Sequence, residues 1–423
     1  MKKFIFILLI ILSTTIFTNS GVFQNIAMQY FNYLSQGEYE KAMEISNDIM
    51  KKSVNAKQLE AIWKNIEQVY GKLNQILKVS FQTVNQYEVY TITAKFEKIN
   101  LNVIISIDKD GLIAGLHFNQ AEETKWKTPK YANVNLFEIK HVFINSLPGE
   151  LTIPKNAEKI PAVILIHGSG PNDMDETIGP NKVFKDIAYG LSSNGIAVLR
   201  YNKRTLYPEK MSKHDTIKEE TIEDVIFAIN FLKKQSFVDK IYLLGHSLGA
   251  YIAPYIASTN KDVNGLILLG TPARNLEELM IDQFKFLETI TKNDYTNYIS
   301  TLEKLINNEI PENEEILGAS AKYFYDLRNY NPQKFIKNLQ IPILMIFGKN
   351  DYQVSTKEYE IFKEILKDKK NIKIILFDNL THLFSEGEKS PYEYLKENHV
   401  SEDVIQTIIN WIKEVDNDDS NNN

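Results

Sequence analysis

The sequence predicts an α/β fold: a mostly parallel sheet with helices on both faces, preceded by a small α+β domain. Three observations predict it. Before about residue 71 the apolar residues recur with the helical period. From about 90 to 118 they alternate with a period of two. Beyond about 140, short and fully apolar runs alternate with amphipathic stretches. Strands that are apolar throughout are buried on both faces, which is the mark of a parallel sheet sandwiched between helix layers. A length of 423 residues suits two to three domains.

Residues 1–20 read as a secretory signal. Lys2 and Lys3 form a positive start, Phe4 to Leu12 is an unbroken apolar run, and Thr18 and Ser20 are small residues placed for cleavage before Gly21. The run is short for a membrane span, which needs about 20 apolar residues. A secreted or cell-envelope location is expected, with no membrane span once the signal is removed.

The first domain is expected over 22–120. Phe23, Ile26, Ala27, Tyr30, Phe31 and Leu34 mark one amphipathic helix, a second is expected at about 39–50, and Leu59, Ile62, Trp63, Ile66 and Tyr70 mark a third over 57–70. Tyr90, Ile92, Ala94 and Phe96 then alternate with polar residues. Leu101 to Ile107 and Leu112 to Phe118 form two more rows joined by the turn Asp108-Lys109-Asp110-Gly111. No catalytic constellation occurs here. Residues 121–139 are polar and lack periodicity, which reads as a linker.

The second domain is expected over 140–415. Val142 to Asn145 and Leu151 to Pro154 suggest a hairpin. The buried strands are 162–168, 196–202, 240–246, 265–271, 341–348 and 372–378, with helices at about 182–193, 222–232, 248–258 and 401–414. Thr221 and Asp224 have the spacing of a helix cap. Residues 275–336 are helical in pattern but interrupt the alternation. The tail 416–423 is rich in Asp and Asn and reads as disordered.

Gly245-His246-Ser247-Leu248-Gly249 fits G-x-S-x-G between a buried strand and a helix, the context in which that motif presents a nucleophilic serine on a sharp turn. Partner groups belong at the carboxyl ends of other strands, and follow in the order acid, then His. Only His382 and His399 come after Ser247; His382 follows a strand, whereas His399 has no strand end to place it. Asp351 follows the preceding strand and is the expected acid, with Asp378 as its rival. The roles follow from chemistry: His382 takes the serine proton and Asp351 fixes the imidazole tautomer. The expected oxyanion donors are the backbone N–H groups of Leu248 and of Ser169, with Gly168 as the alternative to Ser169. His167 precedes the nucleophile and is expected to brace its loop.

HGSGPND, LRYNKR, GHSLGA, GKND and the late Thr381-His382 together resemble the α/β-hydrolase superfamily over about 140–415, and the first two look like secreted bacterial enzymes of the esterase and S33-peptidase-like group. The resemblance implies an α/β-hydrolase fold with a helical lid at about 275–336. The first domain resembles the DUF3887-like domain of unknown function found ahead of some secreted bacterial hydrolases. The α/β-hydrolase resemblance implies a serine hydrolase of carboxylic esters acting through an acyl-enzyme. A peptidase or aminopeptidase, a thioesterase or an acyltransferase would use the same triad. A wall- or ligand-binding protein on a vestigial hydrolase fold is the non-enzyme alternative, and an intact triad speaks against it.

The chain carries 48 basic and 54 acidic residues, a net charge of −6. A nucleic-acid partner would call for a basic surplus; the resemblance implies instead a small acyl ester or short peptide as substrate, with envelope contact expected through the first domain. No cysteine occurs, which excludes disulfides, thiolate metal sites and a cysteine nucleophile. No cofactor or metal is expected: Asp173, Asp175 and Glu176 lack an accompanying ligand His and read as a solvated acidic loop. Lid residues Phe284, Phe286, Leu287, Tyr323 and Phe324 either line an acyl pocket or pack the lid.

Overall fold

The computed structural model describes residues 19–121, 126–212, 215–291 and 294–421. The expected signal over 1–20 lies outside these residues except for its last two, which begin the first helix.

The first domain packs α1 (Asn19–Gln36), α2 (Tyr39–Glu44), α3 (Asp48–Ser53) and α4 (Ala56–Tyr70) on an antiparallel sheet of β1 (Leu73–Val84), β2 (Tyr87–Phe96), β3 (Asn100–Ile107) and β4 (Ile113–Gln120). The single helix expected over 39–50 is broken in two. Ser46 pairs with Ile113 as an isolated bridge, and the Asn47 side chain accepts from Met50 N–H to cap α3. Strand β1 escapes the period-two reading because its register shifts twice near its start, and each shift resets which side chains face the core. Trp63 fills the centre, edge-on to Phe31 at 5.8 Å and to Phe118 at 6.5 Å.

Residues 121–139 do not hang free where they are described. Trp126 Nε1–H donates to Asp186 Oδ1 at 2.9 Å, and the next strand already begins at Phe137.

The second domain contains β5 (Phe137–Ile144), β6 (Leu147–Pro154), β7 (Ile160–Ile166), the short pair β8 (Thr177–Ile178) and β9 (Asn181–Lys182), α5 (Val183–Ser192), β10 (Ala197–Tyr201), α6 (Glu223–Leu232), β11 (Val238–His246), α7 (Leu248–Thr259) and β12 (Gly265–Leu269). An insertion follows: α8 (Leu276–Thr291), α9 (Thr296–Ile306), the pair β13 (Glu315–Ile316) and β14 (Ala319–Ser320), α10 (Ala321–Leu327) and α11 (Gln333–Ile336). Then come β15 (Ile343–Gly348), α12 (Thr356–Ile365), β16 (Ile372–Phe377) and α13 (Glu402–Asn421). The sheet order is β16-β15-β12-β11-β7-β10-β6-β5; β6 is antiparallel to both of its neighbours, β10 and β5, and the other paired strands run parallel. Apolar side chains are buried on both faces of the sheet, as the uniformly apolar strands require.

Two details depart from the sequence reading. Helix α13 continues to Asn421, through most of the tail expected to be disordered. Thr221 and Asp224 form no cap on α6, which has no side-chain cap; a helical turn over Lys218–Ile222 runs into it, and just ahead of that turn the Thr216 N–H and hydroxyl both donate to Glu219. Asp224 instead receives Arg204 and Asn145.

Candidate active site

The parallel strands all end on one edge, and the loops leaving β7, β10, β11, β12, β15 and β16 gather there. Ser247 occupies the turn from β11 into α7 with φ +54° and ψ −115°. A left-handed φ on a residue with a Cβ is strained and persists only where the surroundings impose it. The flanking glycines make the turn possible. A side-chain carbon at Gly249 would lie 2.0 Å from the Ile166 carbonyl oxygen, and one at Gly245 would lie 2.4 Å from the backbone of Gly249.

Asp351 is fully buried at the end of β15. Its Oδ1 accepts from Gln353 N–H (2.7 Å) and Val354 N–H (2.8 Å), and its Oδ2 accepts from His382 Nδ1–H at 2.6 Å. With the proton on Nδ1, the lone pair of His382 is on Nε2, the nitrogen that must receive a serine proton. A side-chain carbon at Gly270, directly after β12, would lie 3.4 Å from the His382 ring and 3.5 Å from Asp351, while Ser247 N–H donates to the neighbouring Leu269 carbonyl. The three residues named from the sequence therefore converge on one edge. Among the described residues no hydrogen bond joins Ser247 Oγ to His382. Such bonds are often long without substrate and tighten in the complex. The rivals are elsewhere: the Asp378 side chain is 87% exposed and pairs with Lys349, and His399 donates to Asp186 at the start of α13.

The N–H groups expected to meet an oxyanion differ in their hydrogen bonding. Leu248 is the first residue of α7, so its N–H has no acceptor within the helix. The Gly168 N–H is already given to Glu176 Oε1 at 2.8 Å, which removes the alternative donor. Among the described residues, Ser169 N–H has no acceptor. Gly168 also abuts the nucleophile: a side-chain carbon there would lie 3.3 Å from Ser247 Cβ.

His246 was not singled out by the sequence and Glu176 was read only as part of a solvated acidic loop, yet together they form the polar centre of the site. His246 Nδ1 lies 2.9 Å from Glu176 Oε2 and its Nε2 lies 2.9 Å from the His382 carbonyl oxygen. The carbonyl only accepts, and so does Glu176 as a carboxylate, so beside an ionised Glu176 both ring nitrogens donate and the ring carries the matching positive charge. Burial opposes that charge, but the Glu176 carboxylate outweighs it and holds the His246 pKa above its ordinary value. Burial would likewise raise the Glu176 pKa, yet His246 keeps it below the usual carboxylate range. The expectation of a solvated acidic loop is therefore corrected. Glu176 is 1% exposed, and Asp175 pairs with Arg200 at 3.1 Å and Lys182 at 2.9 Å. Asp173 closes its own turn by accepting from Thr177. One signal was available: a polar residue at the end of an apolar strand must find a partner when buried. His167 braces the loop as expected, its Nε2–H donating to the Tyr201 carbonyl at 2.6 Å, and burial lowers its pKa.

The insertion 275–336 leaves the sheet after β12 and returns before β15. Phe284, Leu287 and Phe324 are buried in its own core, so these pack the lid. Phe286 instead stacks on Tyr352, the residue after Asp351, at 5.5 Å between ring centres.

Residues 150–366 match the family model BD-FAE, and residues 27–116 match that of a protein of unknown function, DUF3887. The chain is 42% identical over 395 residues to Esterase EstD of Thermotoga maritima, covering 93% of this chain and 96% of that protein. The chain belongs to the BD-FAE family. It is a serine hydrolase of the α/β-hydrolase fold, with a DUF3887 domain in front. The BD-FAE match includes Ser247 and Asp351 and ends before His382. The chain is also 22% identical over 243 residues to the acylamino-acid-releasing enzyme of Mus musculus, covering 54% of this chain and 29% of that protein. Among solved structures, Est1E of Butyrivibrio proteoclasticus aligns with a TM-score of 0.45 and 19% identity, over 66% of this chain and 98% of that one. No helix among the described residues is long and apolar enough to cross a membrane.

Proposed function

We propose that the protein hydrolyses carboxylic esters through an acyl-enzyme on Ser247. The observation that carries this is the 2.6 Å bond from His382 to the buried Asp351, on the edge where Ser247 is held in a strained turn. His382 Nε2 removes the Ser247 hydroxyl proton as Oγ attacks the ester carbonyl. The Leu248 and Ser169 N–H groups receive the oxyanion. The tetrahedral intermediate then expels the alcohol, which takes the proton from His382. Water, deprotonated by the same nitrogen, releases the acid and restores Ser247.

The likeness to Esterase EstD over nearly its whole length favours ester substrates. The weaker likeness to the acylamino-acid-releasing enzyme favours a second reading, cleavage of short acylated peptides by the same groups. A screen of the purified protein against acyl esters of graded length and aminoacyl amides tests both. Ester turnover with inert amides supports the first; amide turnover with inert esters supports the second. Thioesters added to the screen would report thioesterase activity. The signal-like residues 1–20 support export, tested by whether the protein recovered from outside the cytoplasm starts near Gly21.

A further inference from the structure

Gly168 is held on both sides by buried charge. Its N–H donates to Glu176 Oε1, and its carbonyl oxygen accepts from Lys203 Nζ, each at 2.8 Å. Lys203 is 2% exposed, and its ammonium also faces Glu220 Oε1 at 2.6 Å. Burying an ammonium costs several kcal/mol unless good partners compensate, and one of these partners is the carbonyl of a peptide that lines the site.

The consequence lies at the other end of that peptide. In a trans peptide the carbonyl of Gly168 and the N–H of Ser169 share a plane and point in opposite directions. Fixing the oxygen therefore fixes the direction of the N–H. An ammonium on the oxygen also polarises the amide, and bonds in such a chain strengthen one another. Lys203 is not needed merely to keep the loop in place. The Lys203 backbone N–H donates to the Asn172 carbonyl, Met174 N–H donates to Asn202 Oδ1, and Thr205 Oγ donates to the Gly170 carbonyl. Those bonds survive a change of the Lys203 side chain.

We propose that Lys203 is a positioning residue for the oxyanion hole, orienting and polarising the Gly168–Ser169 peptide so that Ser169 N–H meets the developing oxyanion. This rests on the reading of Ser169 and Leu248 as the donors. Lys203 touches no reacting atom, so its loss weakens transition-state binding and spares ground-state binding.

The test compares the parent with Lys203→Met, Lys203→Arg and the double variant Lys203→Met/Glu220→Gln, which leaves no orphaned carboxylate. For Lys203→Met and the double variant, kcat on a short acyl ester should fall about 10- to 100-fold, less than the roughly 10²- to 10³-fold lost with an oxyanion donor itself. KM should change less than about twofold. The affinity of a trifluoromethyl ketone, whose adduct with Ser247 carries the oxyanion, should fall by the same factor as kcat/KM. Lys203→Arg should recover part of the loss. If the folded double variant keeps parental kcat and ketone affinity, or loses kcat while ketone affinity holds, Lys203 has no such role. If neither Met variant folds, the comparison falls to Lys203→Gln/Glu220→Gln, which removes the charge but keeps polar side chains; unchanged kcat and ketone affinity there would overturn the orienting role and a joint fall would support it. Ser247→Ala run alongside separates the two readings: turnover by that variant would overturn the nucleophile assignment, whatever Lys203 does.

Discussion

The ring of His246 holds the backbone of His382: Nε2–H of the residue before Ser247 donates to the His382 carbonyl oxygen over 2.9 Å. Its other nitrogen donates to Glu176, which in turn accepts from Gly168 N–H. One buried ion pair thus ties together the turn bearing Ser247, the loop bearing His382 and the loop bearing Ser169. Displacing any of these by 1 Å would cost rate, because catalysis depends on near-attack geometry.

That pair gives the folded protein a pH signature. His246 has a raised pKa, so its contribution to stability is fully present below the unfolded value of about 6.5 and is lost as pH rises through the folded value. Glu176 has a lowered pKa, so its contribution is present above an unfolded value of about 4.3 and is lost as pH falls through the folded value. The stability difference between parent and His246→Gln, measured by urea denaturation, should be largest near pH 5.5–6.5 and shrink on the alkaline side. A difference that stays constant to pH 9 would mean that the ring is not an imidazolium.

Ser247 and Asp351 should fail in different ways. Ser247→Ala should lower kcat by on the order of 10⁴- to 10⁶-fold, and a fluorophosphonate should label Ser247 alone in the parent. Asp351→Asn keeps the size of the side chain but offers an NH₂ group where His382 Nδ1–H needs an acceptor. The imidazole then takes the wrong tautomer, and kcat should fall about 10⁴-fold with little change in KM. Parental turnover by either variant would refute the role assigned to that residue.

Ser247, Asp351 and His382 could be picked out as neighbours because each sits at a strand end, and uniformly apolar strands are easy to mark. What escaped depends on contacts between loops. Nothing local to Glu176 distinguishes a solvated carboxylate from one buried against His246, 70 positions away in sequence. Lys203 likewise meets Gly168 across 35 positions. Strand β1 was lost for a different reason, since its two register shifts erase the alternation that reveals a strand. Helix α12 was passed over because its buried positions include a charged residue, Glu358, which accepts from the Ala273 and Arg274 N–H groups.

The first domain should matter for stability and not for chemistry. Tyr392 and Leu395, from the turn that follows the His382 loop, are buried in its core, and Lys78 pairs with Glu397. A chain begun at Trp126 would keep β5 and the Asp186 contact but expose both side chains. Burial of such residues contributes about 1.5–3 kcal/mol each, so the shortened chain should melt at a lower temperature than the full chain. At a temperature where it is folded, its kcat on a small soluble ester should lie within a fewfold of the parent value. A folded but inactive chain would show that the first domain completes the site.

The lid offers the sharpest contrast, because neighbouring residues on α8 have different duties. Leu287 is 1% exposed within the lid's own core, so Leu287→Ala should cost about 2–5 kcal/mol of stability and leave substrate preference alone. Phe286, one position earlier, stacks on Tyr352, which follows the triad acid and also stacks on Tyr394. Removing the Phe286 ring frees space against Tyr352 and Lys389 without opening the lid core. A pocket wall of this kind discriminates by about 1–3 kcal/mol for a methylene-sized change, so Phe286→Ala should move the preferred acyl chain toward longer esters by roughly 10- to 100-fold in relative kcat/KM. Labelling of Ser247 by a fluorophosphonate should persist in that variant. If Phe286→Ala keeps the parental chain-length profile while Leu287→Ala changes it, the acyl chain runs through the interior of the lid and not along the stack on Tyr352.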